Sequence, residues 1–135
     1  MNRRQAEDYC REISGLPITL SVSNRFRKYS ARADQKKQHI SIDVEYINKR
    51  ALLWHEVSHI LFHTHSEYEC HIRAIQLALD RGLYDIVEEL IKMMQTWSGW
   101  QKSKYLKAKN KICEELKIPY IWYSKIDDRM RNNHK

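Results

Sequence analysis

At 135 residues the chain has room for one domain, and its 42% hydrophobic content suffices for a compact core without any run long enough for a transmembrane helix. The formal net charge is +7, the opening residues are polar with no apolar signal segment, and the three cysteines, Cys10, Cys70 and Cys113, are odd in number and scattered. These features argue against a membrane protein or a disulfide-stapled secreted scaffold and predict a cytoplasmic protein with reduced thiols.

Residues 3–14 read as a short amphipathic helix closed by Gly15 and Pro17. Residues 18–23 alternate apolar and polar, as a half-buried strand does, and residues 26–33 predict a second strand before a polar turn at 34–37. Residues 39–44 alternate again and run directly into a helix capped by Asp43 and free of Gly and Pro from 44 to 62. Leu53, Val57, Ile60 and Leu61 mark its buried stripe, with His55, Glu56 and His59 beside that stripe at the edge of the core. A turn at 64–66 leads to a helix over 67–80, and Gly82 separates it from a third at 84–97 carrying Ile86, Val87, Leu90, Ile91 and Met94. Gly99 breaks that helix, 102–116 forms a fourth, 120–123 a short strand after Pro119, and 129–135 a frayed end. The class is α+β: a small, mostly antiparallel sheet, then helices, in one domain over 1–135 with 82–135 as a basic helical extension.

The segment His55-Glu56-Val57-Ser58-His59 is H-E-x-x-H. Residues four apart lie one above the other on a helix, so the two imidazoles can grip one metal ion, and the adjacent glutamate can take a proton from metal-bound water. A catalytic zinc needs a third protein ligand and an open fourth position. The candidates downstream are His63, His65, Glu67, Glu69, Cys70 and His71. Glu69 also completes a capping box with Ser66, which explains it without a metal. Cys70 reads as a helix-packing thiol that could approach the metal. His63 and His71 read as supporting or surface residues. Either of them, or Tyr68, could donate to a developing oxyanion, and Tyr68 could equally pack between helices.

The H-E-x-x-H helix resembles that of the zincin metallopeptidases. Over about residues 40–79 the chain resembles the ImmA/IrrE-type family, in which Glu-Ala-x-x-Phe-Ala follows on the next helix; here Glu69-Cys70-His71-Ile72-Arg73-Ala74 matches it, with Arg73 replacing an apolar residue. That resemblance implies a zincin-like fold, Zn(2+) held by His55, His59 and Glu69, Glu56 as general base, and a regulatory protease acting on a peptide or protein. It also implies an edge strand beside the metal helix that takes the substrate by strand addition. A second resemblance, to SprT-like small zincins, places a histidine six residues after the second motif histidine, which His65-Ser66 fits, and makes His65 the third ligand.

Charge is uneven. Residues 99–135 hold ten Lys/Arg against four Asp/Glu, whereas 46–98 hold five against seven, so the metal segment is mildly acidic and the tail basic. The tail reads as a solvated lysine face with its aromatics turned inward; contact with nucleic acid or an acidic protein is the alternative. A metal protein without activity, closed by four ligands such as His55, His59, His65 and Glu69 and binding a partner through that tail, is the second functional expectation.

Overall fold

The computed structural model describes residues 1–24, 31–94 and 102–117. Helix α1 (Arg3–Ser14) starts at a reciprocal cap: Asn2 Oδ1 accepts from Gln5 N and Gln5 Oε1 from Asn2 N. It ends at Gly15, whose φ of 69° is the left-handed conformation that glycine adopts without strain. Glu7 ties the helix to the first strand by accepting the Leu20 N–H at 2.9 Å while paired with Arg3 and Arg11.

Three strands follow: β1 (Thr19–Ser23), β2 (Ala31–Asp34) and β3 (His39–Asp43). Their order is β1-β3-β2, with β1 parallel and β2 antiparallel to β3. The expected, mostly antiparallel sheet is therefore a mixed one. Alternation reports which face of a strand is apolar, not which strand is central. Here β3 takes the centre because Ile40 and Ile42 are its whole inner face and both are fully buried. β2, with Arg32 and Asp34 interleaving two alanines, is left at an edge, where charged side chains are tolerated. The register sets Ala31 opposite Ile42 and Ala33 opposite Ile40, so the small side chains of β2 share the inner face.

The helix expected from residue 44 is broken in two. Asp43 caps only a 3-10 turn, Val44–Tyr46, and α2 (Arg50–Leu61) begins four residues later. Nor is α2 amphipathic. Ala51 and every residue from Leu53 to Ile60 are buried, because α1, β2, α3 (Glu67–Asp80) and α4 (Tyr84–Met93) all pack against it. The metal motif thus lies inside the molecule rather than at the rim of a core. Full burial of Leu53, Val57 and Ile60, roughly 1.5–3 kcal/mol each, offsets the cost of placing polar side chains among them.

Helix α3 buries Cys70, His71, Ala74, Ile75 and Ala78 between α2 and α4. Helix α4 adds Ile86, Val87, Leu90 and Ile91 to the core, and Arg50 fastens it to α2 through Glu89 at 2.7 Å and Asp85 at 3.3 Å. Helix α5 (Lys102–Glu115) buries Ile112 and Cys113. The first part of the strand expected at 26–33, the strand expected at 120–123, the frayed end at 129–135 and the last turn of the third predicted helix lie outside the described residues. Among the described residues no helix is long and apolar enough to cross a membrane. Because α2 is the hub of the packing, Leu53→Ala should lower unfolding stability by about 2–5 kcal/mol with an unchanged urea m-value; a loss well under 1 kcal/mol would show that α2 is not central.

Candidate metal centre

Helix α2 stacks His55 and His59 one turn apart with ring centroids 4.9 Å apart and planes nearly perpendicular. The first turn of α3 lays one carboxylate across both. Glu67 Oε2 is 2.6 Å from His55 Nε2, and Glu67 Oε1 is 3.2 Å from His59 Nε2. One turn further along α3, the Cys70 thiol donates to the His55 carbonyl at 3.0 Å. One ligand atom each from His55, His59 and Cys70 lie within 4.8 Å of one another, a buried group that could hold a metal ion.

The donor set fits a cation on its own chemistry. His59 Nδ1 lies 2.7 Å from the Thr64 carbonyl oxygen, which can only accept, so Nδ1 carries the hydrogen and Nε2 presents its lone pair. That lone pair faces a carboxylate, and the two repel unless a positive charge lies between them. A proton or a metal ion satisfies this arrangement. The Thr64 oxygen also accepts from Gln35 Nε2 at 2.8 Å, which ties the β2–β3 turn to the same ligand.

Without metal, protons take that place. Burial opposes a charge on His59, but hydrogen bonds with Cys70, Glu67 and Thr64 outweigh it and push its pKa up to about 11. Hydrogen bonds from His55 and His59 hold Glu67 far below the usual carboxylate range. The Glu67 side chain is nonetheless 67% exposed, so these pairs add little to stability through water. Burial raises Glu56 above an ordinary glutamate against the pull of His55 and His59, and burial likewise raises the Cys70 thiol.

Glu56, His59, His65 and Glu67 line one cleft of about 280 Å³, together with Gln35 and Ala31, Arg32 and Ala33 of β2. A second cleft of about 650 Å³ shares Arg32, Ala33, Gln35 and His65 with it and reaches His63. Of the three motif residues, Glu56 and His59 open onto the smaller cleft, and His55 lies behind Glu67.

Of the other expected residues, His65 shares this cleft, and Glu69, His71 and Tyr68 do not line it. Glu69 is exposed; its N–H donates to the Ser66 Oγ and its carboxylate lies 3.5 Å from Arg73. Of the capping box only the Ser66 half forms. His65 is an exposed cleft residue. His71, expected as a supporting residue or an oxyanion donor, is fully buried and lines neither of these clefts, so it has no access to a substrate carbonyl there. Tyr68 packs half-buried against the core and does not line them either.

Helical phase explains why Glu67, and not Glu69, meets the two histidines. The buried positions of α3 are 70, 71, 74, 75 and 78, and one turn back from 70 and 71 is 67. Position 69 falls on the solvent face beside Arg73. No protein-family model matches the chain, and no curated protein or solved structure matches it either.

At pH 7 the metal-free His59 carries a proton that a metal ion at Nε2 displaces. Affinity should therefore rise with pH, by up to about tenfold per unit for each proton displaced. Titration calorimetry in buffers of different ionisation enthalpy should detect that release, and affinity independent of pH and buffer would contradict it.

Proposed function

We propose that the chain is a small metallopeptidase in which His55, His59 and Glu67 hold a divalent ion and Glu56 is the general base. The observation that carries this reading is the Glu67 carboxylate laid across both Nε2 atoms, with Glu56 opening onto the same cleft. Two imidazoles and one carboxylate suit zinc in a hydrolytic site. A bound zinc ion would supply Lewis acidity, polarising a carbonyl and making its water acidic.

The protein's own residues supply the rest. Glu56 sits next to His55 in the chain and is 7% exposed. Its raised affinity for protons suits it to take one from water and return it to a leaving amine. Among the described residues β2 pairs only with β3, so its other edge offers backbone donors and acceptors beside Glu56 and Glu67. An extended peptide added there would be held in register with the base. This reading departs from the ImmA/IrrE-type resemblance, which implied Glu69 as the third ligand, because Glu67 is the carboxylate that meets both histidines.

A second reading has one observation behind it. Cys70 belongs to the same ligand group, and a site of His55, His59, Glu67 and Cys70 would be closed, leaving a structural metal. Against this, the Cys70 thiol donates its hydrogen to the His55 carbonyl, a bond it must give up to ligate as a thiolate.

Zinc uptake and hydrolysis of denatured casein separate the two. Glu67→Ala should lose zinc, and Glu69→Ala and Cys70→Ala should keep it. Glu56→Gln should retain zinc while hydrolysis falls by on the order of 10²–10⁴. Zinc lost in Cys70→Ala, with a sulfur charge-transfer band in the cobalt form of the wild type, would establish the closed site instead. Full turnover in Glu56→Gln would remove Glu56 from the mechanism.

A further inference from the structure

One buried histidine close to the ligands has no part in the reading above. His71 of α3 is fully buried behind His55, their ring centroids 5.1 Å apart. Its Nδ1 lies 2.9 Å from His55 Nδ1, and its Nε2 bonds the Leu90 carbonyl in the last turn of α4. That carbonyl is available because α4 tightens at its end. The Met94 N–H turns back to Ile91 and Lys92 instead of completing a regular bond to Leu90.

The direction of each bond in this chain follows from its two ends. A carbonyl oxygen only accepts, so His71 Nε2 carries a hydrogen. A fully buried imidazole beside another imidazole is neutral, so its Nδ1 has a lone pair. The 2.9 Å contact then requires His55 to donate from Nδ1. His55 Nε2 is then the nitrogen that faces Glu67, where a proton lies between the two without metal and where a metal ion would take the lone pair.

We propose that His71 is a positioning residue that relays the Leu90 carbonyl of α4 to His55, fixing its Nδ1–H tautomer and ring orientation for metal binding. The inference rests on the metal reading above and extends it to a residue outside the motif. It gives α4 a role in the site besides packing. His59 is oriented by a backbone carbonyl and His55 by a neutral imidazole, so neither support adds a negative charge. Glu67 is then the one anionic donor of the set, and a divalent ion held by it and two imidazoles keeps a net positive charge and its Lewis acidity.

Two measurements test this separately from the metal reading. The first is long-range ¹H–¹⁵N correlation of the histidine rings in the metal-free wild type. His71 should appear protonated at Nε2 with a lone pair on Nδ1; the opposite tautomer would overturn the relay whether or not the protein binds metal. The second is zinc competition titration of the wild type, His71→Leu and His71→Asn. His71→Leu, which offers no acceptor to His55, should bind zinc about 10–100-fold more weakly, and His71→Asn, which keeps an acceptor, should recover much of that loss. Thermal melting of the metal-free variants reports folding. If His71→Leu does not fold, the asparagine variant and the wild-type tautomer decide. Wild-type affinity in a folded His71→Leu protein that still depends on Glu67 would defeat the role of His71 alone. A wild type that takes up no zinc would defeat the metal reading and this inference with it.

Discussion

The structure turns on a local electrostatic requirement: two imidazole nitrogens from α2 and a carboxylate from α3 converge where a positive charge must sit between them. Several otherwise unrelated features serve that convergence. Helix α2 is central and buried, so its histidines are held by packing on all sides instead of swinging in solvent. Ser66 caps α3 and starts the helix one residue before Glu67, placing that carboxylate at the positive end of the helix dipole. The tight turn between α2 and α3 brings the Thr64 carbonyl back onto His59, and Gln35 of the hairpin turn grips the same oxygen. Each of these three side chains thus has its own support, the condition for a site held to within a fraction of an ångström.

This arrangement has an energetic cost, and the fold shows how it is met. His55, Glu56, Ser58 and His59 occupy a buried stretch, residues 53–60, that would otherwise be wholly apolar. Leu53, Trp54, Val57 and Ile60 fill the remaining positions of the same two turns, and the Trp54 indole donates to the Tyr9 hydroxyl at 2.7 Å, joining α1 to the hub. Ser58 returns its hydroxyl hydrogen to the Trp54 carbonyl. Among the described residues no buried side-chain nitrogen or oxygen lacks a hydrogen-bond partner. Polar groups are buried here with their partners in place, as stability requires.

Much of this was legible in the residues, and what was not has identifiable reasons. Gly15 and Gly82 punctuate the chain at left-handed turns, so α1 and α3 and the start of α4 fall where the sequence predicts. The alternation at 18–23 and 39–44 marks β1 and β3 because each buries one face. The polar turn at 34–37 announces the β2–β3 hairpin, whereas strand order is a tertiary outcome, and nothing local announces that β1 pairs with β3 in parallel. The break before Arg50 is equally silent, since a stretch free of Gly and Pro reads as one helix even where the chain must turn from the sheet to the core. The motif residues were readable because helical spacing alone pairs 55 with 59. Glu67 was a candidate among several, and the phase of α3, from Cys70 to Ala78, singles it out. The part of His71 depends on Leu90, nineteen residues away, which no local pattern connects.

The central claim is the identity of the first coordination sphere, and X-ray absorption spectroscopy of the zinc-loaded protein tests it most directly. The account predicts a shell of nitrogen and oxygen only, with multiple scattering from two imidazoles, and no sulfur. A sulfur shell at about 2.3 Å would put Cys70 on the metal and close the site, and scattering from fewer than two imidazoles would contradict the pairing of His55 with His59.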